Sequence, residues 1–179
     1  METSIVQHYQ HQLAECIRAQ HCISNRVLEA FVEVPRHPFL SHYYLHQPGT
    51  RIWTQHNQEE SEAWYTYVYQ DQALVTRVDE HGRTLSSSSQ PSVMARMLDA
   101  LAVEPGMRVL EIGTGTGYNA GLLAALTGDP HLVTTMDIDS TAVDQARDTL
   151  QNVVGKGITV AHGNGLHGYS EHAPMTGSS

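Results

Sequence analysis

The sequence has few of the residues that mark several common protein classes. It contains only two cysteines, Cys16 and Cys22, whose spacing of six matches neither a metal pair nor a redox motif, so two free thiols are expected. The 10 basic residues are outnumbered by 19 acidic ones, form no cluster, and leave a net charge of −9. This charge argues against nucleic acid or an anionic membrane as the main partner.

The sequence also lacks a long apolar run. Its polar start, Met1 to His8, has no basic segment leading into an apolar one, so a cytoplasmic protein is expected. A length of 179 residues with 40% hydrophobic content suits one buried core, and we expect a monomer. No metal site is expected, because His42 and His46 could share a helix face but are followed by Pro48 and have no third ligand nearby.

The first hundred residues predict a mostly helical region. Residues 7–33 have the apolar spacing of two helices, with a cap and turn at Ser24 and an end at Pro35. Residues 41–68 are interpreted as irregular and aromatic, 72–78 as a short strand, and 86–89 as a loop. Pro91 suits the first turn of a helix that runs to about residue 101. Its apolar face would comprise Val93, Met94, Met97, Leu98 and Leu101.

From residue 105 onward the pattern alternates between short apolar strands and helices. Strands are predicted at 108–112, 132–138 and 158–161, and helices at 118–126 and 141–150. Short links between such elements are typical of parallel strands in a doubly wound sheet. The predicted fold class is therefore α/β, with a Rossmann-like sheet after a helical N-terminal region.

A glycine-rich turn follows the first of these strands. Gly113, Gly115 and Gly117 alternate there, and without Cβ atoms they let the backbone turn sharply and pass close to a ligand. The next helix begins at this turn, so its first amides also face that ligand. The spacing differs from the dinucleotide pattern G-x-G-x-x-G. The alternative is a turn that merely lets a strand pack against a helix.

Two acidic residues favour a ligand. Glu111 lies inside the strand, two positions before the first glycine, and Asp137 ends the next strand. In doubly wound sheets, an acid at the second position accepts hydrogen bonds from ribose hydroxyls and disfavours a 2′-phosphate. These features favour an adenosine cofactor without pyrophosphate. S-adenosylmethionine fits best, with Glu111 near its positively charged amino-acid end.

Five ordered motifs resemble the protein-L-isoaspartate O-methyltransferase family. Four of them are similar to that family's Pro-Arg-His-x-Phe, Tyr-x-Asp-x-Pro-Leu, Ser-Gln-Pro and glycine-loop segments, and the fifth to its segment after the third strand. In this sequence the first four motifs are, in the same order, residues 34–40, 69–74 (with Ala73 in place of Pro), 89–91 and 110–118. The fifth consists of residues 162–165, Gly168 and residues 171–174. Their order and spacing match across residues 24–174.

The resemblance implies the Rossmann-like fold of a class I methyltransferase and methyl transfer from S-adenosylmethionine to isoaspartyl residues of damaged proteins or peptides. Ser89 matches the family's active-site serine, and its alternative is a helix N-cap before Pro91. The resemblance places Glu111, Gly113, Thr114, Gly115, Gly117, Asp137 and Asn164 at the cofactor. The implied divisions are 1–104 as the helical region with the serine loop, 105–174 as the first half of the cofactor domain, and 175–179 as an aberrant tail.

Three departures from the family keep alternatives open. Asn164 stands where the family usually has Asp, at a position expected to contact adenine. The stretch Gln47 to Trp64 is longer and more polar than expected, and the serines at 86–89 resemble those of relatives that methylate aspartates in ribosomal peptide natural products. Such a peptide methyltransferase is one alternative, and an inactive remnant is the other.

The C-terminal end also departs from the family pattern. The family usually continues with Tyr-Asp-Arg-Ile-Ile after Pro174, whereas this sequence has Met175 to Ser179. A reading-frame slip of one nucleotide converts codons for the first pentapeptide into codons for the second. We therefore expect the C-terminal strands to be missing, which would leave strand 108–112 as an exposed apolar edge and the chain unstable and inactive.

Overall fold

A computed structural model describes residues 2–50, 52–59, 61–169 and 177–178. Its six α-helices are α1 (Glu2–Gln20), α2 (Asn25–Glu33), α3 (Glu62–Val68), α4 (Pro91–Leu101), α5 (Tyr118–Thr127) and α6 (Ser140–Val153). Its eight strands are β1 (His42–His46), β2 (Trp53–Asn57), β3 (Leu74–Val78), β4 (Thr84–Ser88), β5 (Val109–Ile112), β6 (Val133–Asp137), β7 (Thr159–His162) and β8 (Gly177–Ser178). None of the helices within these ranges is both long and apolar enough to cross a membrane.

The two N-terminal helices confirm the prediction for residues 7–33. Helix α2 is amphipathic and buries Val27, Leu28 and Phe31 in the core. Ser24 precedes α2 but its side chain makes no capping bond. Its backbone amide instead donates to the Asp99 carboxylate at 3.0 Å, so this turn is tied to α4.

A four-stranded antiparallel sheet occupies much of the region that the sequence predicted as irregular or loop. Its strand order is β2-β1-β3-β4. The predictions of an irregular 41–68 and of a loop at 86–89 are therefore wrong. In β1, Tyr43 is buried and stacks on Trp64 of α3 and on Tyr67, with ring centroids 5.0 and 4.7 Å apart. These partners lie over twenty residues away, which explains why local sequence patterns did not reveal the strand.

Helix α4 has the predicted bounds but a different buried face. Met94 and Leu98 are buried, whereas Val93 is 43% and Met97 59% exposed. Ala95 is also buried, so the apolar stripe is rotated from the predicted one. The exposed Met97 lies beside the candidate site described below.

The second sheet confirms the predicted doubly wound arrangement. Its order is β7-β6-β5-β8, and every described pairing is parallel. Helix α5 is apolar around most of its circumference because it is covered on nearly all sides. At Gly121 of α5, a Cβ atom would come within 3.2 Å of Val34 and 3.3 Å of Phe39. This glycine therefore permits close packing of α5, a helix of the second-sheet region, against Val34 and Phe39 of the N-terminal region.

Strand β8 changes the expectation for the end of the chain. Gly177 pairs with Val109 and Ser178 with Leu110, in parallel register with β5. The prediction of an unpaired β5 edge is therefore wrong for Val109 and Leu110. The family-like motif at 171–174 and residues 170, 175, 176 and 179 lie outside the described residues.

Candidate active site

The glycine loop after β5 presents bare backbone to a cleft. Gly113 and Gly115 have φ angles of +98° and +51°, and a Cβ at either position would meet no other atom within 4 Å. Gly117 has φ +85°, and its Cβ would lie 3.2 Å from Ala146. The third glycine is therefore required by packing, while the first two leave space that another group can occupy.

The strand ends hold this loop in place. The amide of Gly113 donates to the Met136 carbonyl at 2.8 Å, and the buried Thr114 hydroxyl bonds the Thr135 hydroxyl at 2.8 Å. The amide of Gly115 donates to Oδ2 of Asp137 at 3.0 Å. Asp137, predicted to bind the ribose, thus lies at the loop. Because each carboxylate oxygen can accept more than one hydrogen bond, it retains acceptor capacity for a ligand.

Glu111 is a buried acid beneath the glycine loop. Its carboxylate accepts hydrogen bonds from Asn119 Nδ2 at 2.8 Å and from Thr135 Oγ1 at 2.5 Å. Burial raises the pKa of Glu111 from 4.5 to about 7, the nearby Asp137 charge adds to the rise, and the two hydrogen bonds oppose it. A cation in the cleft would favour the ionised carboxylate, so the site is suited to a positively charged ligand.

A cavity of about 230 Å³ lies between the serine segment, defined as residues 86–89, and the glycine loop. It brings together five predicted site residues: Ser89, Glu111, Gly113, Thr114 and Gly115. Three predicted cofactor residues, Gly117, Asp137 and Asn164, are not part of its lining. The remaining lining residues are Ser87, Ser88, Met94, Met97, Leu98, Ile112, Thr116, Tyr118 and Asn119.

Ser89 directly follows the last residue of β4, is exposed, and lines the cavity. The interpretation of Ser89 as the N-cap of α4 is wrong, because the cap position is occupied by Gln90. Asp71 instead provides the hydrogen-bond acceptors at the start of α4. Its carboxylate accepts from the Ser92 amide at 2.8 Å and from Gln90 Nε2 at 3.2 Å.

Arg36 anchors the serine segment from within the protein. It is fully buried and donates to the carbonyls of Val68, Gln70, Gln72 and Ser89 at 2.9 to 3.1 Å. Burial lowers its pKa to about 10, so the guanidinium stays charged at neutral pH. The sequence placed Arg36 in a family motif without a role. Four of its partners are backbone carbonyls, which no side-chain pattern identifies.

Asn164 lies just beyond the carboxyl end of β7. Its side-chain oxygen accepts from the Leu166 amide at 3.1 Å and so caps the short 3-10 turn Gly165–His167. The next residue, Gly165, packs against Ile112, where a Cβ would come within 2.4 Å of that side chain. The turn therefore adjoins the end of β5, and contact between Asn164 and an adenine stays a prediction.

Comparison with known proteins identifies the family. The model of the protein-L-isoaspartate(D-aspartate) O-methyltransferase family matches residues 54–177. The chain belongs to this family. A Thermotoga maritima protein-L-isoaspartate O-methyltransferase is 32% identical over 152 residues, which cover 85% of this chain and 41% of the relative. One from Methanococcoides burtonii is 34% identical over 149 residues, covering 83% of this chain and 61% of the relative. The chain thus spans about half the length of these curated relatives.

Solved structures support the fold. A protein-L-isoaspartate O-methyltransferase structure superposes with a TM-score of 0.73 at 29% identity, covering 93% of this chain and 45% of that one. A second, from Plasmodium falciparum, was solved in complex with S-adenosyl-L-homocysteine. It superposes with a TM-score of 0.65 at 14% identity, covering 91% of this chain and 66% of that one. The predicted class I methyltransferase fold is therefore confirmed.

Proposed function

We propose that this protein transfers a methyl group from S-adenosylmethionine to the carboxylate of L-isoaspartyl residues in proteins or peptides. One observation carries the proposal: Ser89 and the open glycine loop line the same cavity, although they are far apart in sequence. The family membership gives the chemistry that such a cavity would perform. The relatives to which this chain is similar are named for that reaction.

The residues at the glycine loop fit the cofactor. Gly113 and Gly115 keep space free beside their backbone, and buried Glu111 favours a cationic group above it. Asp137 offers a carboxylate at the end of β6, the place where ribose hydroxyls bind in doubly wound sheets. When bound, S-adenosylmethionine supplies an electrophilic methyl group on a sulfonium sulfur. Glu111, Gly113, Thr114, Gly115, Gly117, Asp137 and Asn164 are the residues that we assign to it.

The chain's own residues then need only position the acceptor. An isoaspartyl carboxyl group has a pKa of about 4 and is ionised at neutral pH, so no general base is needed. The Ser89 hydroxyl can donate a hydrogen bond that orients this carboxylate without giving up its proton. Met94 and Leu98 form an apolar wall of the cavity and reduce the hydration of the carboxylate.

The remaining expectations are consistent with this activity. We propose a cytoplasmic monomer, with residues 1–104 carrying the serine segment and 105–174 the cofactor-binding half. The net charge of −9 supports a partner other than nucleic acid or membrane. The partners would be proteins or peptides that contain an isoaspartyl residue.

The test compares methyl acceptors. Radiolabelled S-adenosylmethionine and the purified chain are incubated with two synthetic peptides that differ only in an L-isoaspartyl or an L-aspartyl residue. We expect label to enter the isoaspartyl peptide alone, and base treatment to release it as methanol from an ester. Equal labelling of both peptides would contradict the proposed substrate, and no labelling of either would contradict the activity.

A further inference from the structure

One ion pair joins the antiparallel sheet to the start of α6. The Arg77 guanidinium of β3 contacts the carboxylate of Asp139, the N-cap residue of α6. These two residues lie 62 positions apart, whereas the other ion pairs among the described residues join side chains at most four positions apart. Arg77 pairs with Ser86 of β4, and the β3–β4 register shifts on both sides of this pair. Such an irregularity commonly re-aims a side chain. The contact therefore connects the sheet that carries the serine segment with the helix that follows β6.

Asp139 is hydrogen-bonded to the carboxylate that we assign to the ribose. Its amide donates to Oδ1 of Asp137 at 3.0 Å, and the amide of Gly115 donates to Oδ2 of the same carboxylate. The Asp139 carboxylate accepts from the Thr141 amide at 2.9 Å, which caps α6. The hydrogen bond from Arg77 holds the pKa of Asp139 below its ordinary value, and backbone amides lower it further. Asp139 is therefore ionised at neutral pH, and Arg77 acts through it on the turn 137–139.

A cavity separates β3 from the glycine loop. Its volume is about 320 Å³, and its wall includes Arg77 of β3, Gly115 and Thr116 of the loop, and Ala142 of α6. Because packed side chains do not fill this space, dispersion contacts between β3 and the loop are weak there. The ion pair to Asp139 thus supplies a direct link across this part of the molecule. Its two side chains are 49% and 25% exposed, so dissolved salt should weaken the link.

We propose that Arg77 is a positioning residue for the cofactor, which acts through Asp139 to hold the Asp137 carboxylate against the ribose hydroxyls. This rests on the proposed function, in which Asp137 binds the ribose, and it adds a residue to the same site. Because Arg77 also pairs with Ser86, the ion pair ties the serine segment to the turn that binds the cofactor. Arg77 itself need not touch the cofactor.

Two ligands that differ only at the ribose test this role. The dissociation constants of S-adenosylhomocysteine and of its 2′,3′-dideoxyribose analogue are measured by calorimetry on the full chain. The wild type should bind S-adenosylhomocysteine about tenfold more tightly than the analogue, because the charged Asp137 accepts hydrogen bonds from the hydroxyls. Arg77→Met should weaken S-adenosylhomocysteine by about fivefold, the upper range for a partly exposed ion pair. It should weaken the analogue by less than about twofold, so the preference for the ribose falls.

Matched variants isolate the ion pair. Asp139→Asn keeps the oxygen that caps α6 but loses the charge, so it should show the same loss of ribose preference. The double variant should lose no more than either single variant. Arg83→Met is the control, since Arg83 pairs with Asp79 at 2.6 Å in the same β3–β4 hairpin, and it should keep the wild-type preference. In the wild type, raising the salt from about 0.05 to about 1 M should lower the ribose preference without any substitution.

The outcomes separate this role from the proposed function. Equal weakening of both ligands by Arg77→Met would show a general packing role and overturn the inference. An unchanged ribose preference in Arg77→Met and Asp139→Asn, together with its loss in Asp137→Ala, would overturn the inference and leave the cofactor site in place. A ribose preference that survives in Asp137→Ala would contradict the assignment of Asp137 to the ribose, and the inference would fall with it.

Discussion

The Arg36 guanidinium donates a hydrogen bond of 3.1 Å to the carbonyl oxygen of Ser89, 53 residues further along the chain. The same guanidinium binds three carbonyls of the segment 68–72. Asp71, within that segment, accepts from the Ser92 amide. The position of the serine thus depends on a buried cation and on the segment that it organises.

Arg36→Lys should destabilise the protein and disturb the serine segment. A lysine ammonium cannot reproduce the planar array of donors, so several buried carbonyls would lose their partners. We expect the free energy of unfolding to fall by about 3 kcal/mol in urea titrations. Arg18→Lys is the matched control, because Arg18 pairs with Glu15 at the surface. Equal stability of the Arg36→Lys and Arg18→Lys variants would show that the buried network is not important.

Asp71→Ala should weaken the start of α4. The Ser92 amide would lose its acceptor, and loss of such a helix cap costs about 1 kcal/mol. Asp71→Asn keeps an oxygen acceptor and should lose less. Thermal unfolding of the two variants measures the difference. A larger loss in Asp71→Asn than in Asp71→Ala would contradict the capping role.

Gly115→Val should abolish cofactor binding. The valine side chain would occupy the open space beside the loop, and its backbone would be strained at φ +51°. Gly128→Val is the control, since Gly128 also has a positive φ of +73° and open space around its Cβ but ends α5 outside the cavity. Calorimetric titration with S-adenosylmethionine should show binding by the control alone. Undiminished binding by Gly115→Val would rule out this loop as the cofactor site.

Glu111 should make stability depend on pH. Folding raises the pKa of Glu111 from 4.5 to about 7, so the folded state holds this proton more tightly than the unfolded state. The tighter binding of this proton stabilises the folded state fully below about pH 4.5, and this stabilisation is lost as the pH rises through 7. The shift corresponds to about 3 kcal/mol.

The matched variant for this group is Glu111→Gln. It should be more stable than the wild type at about pH 8, and the difference should shrink towards about pH 5. Urea unfolding at a series of pH values measures it. A difference between the two proteins that stays constant with pH would contradict the raised pKa.

The second sheet and the glycine loop were predictable because their signals are local. Apolar runs mark the buried parallel strands, and Gly113 and Gly115 mark the turn between β5 and α5. In the first sheet, only β3 was predicted, as a short strand at 72–78. The strand that contains Tyr43 was not predictable, because it depends on distant aromatic partners. Arg36 and Asp71 act on backbone groups far along the chain, and such contacts leave no trace in residue spacing.

Single-turnover methyl transfer to an isoaspartyl peptide by the wild type, Ser89→Ala and Ser4→Ala tests the proposed site most directly. Loss of one hydrogen bond that orients the carboxylate in the transition state should slow Ser89→Ala by roughly 10²–10³. Ser4 lies exposed on α1, far from Ser89 in sequence, and its replacement should leave the rate unchanged. Cofactor affinity should be the same in all three proteins. A Ser89→Ala rate equal to that of the wild type would contradict the assignment of this cavity as the methyl-transfer site.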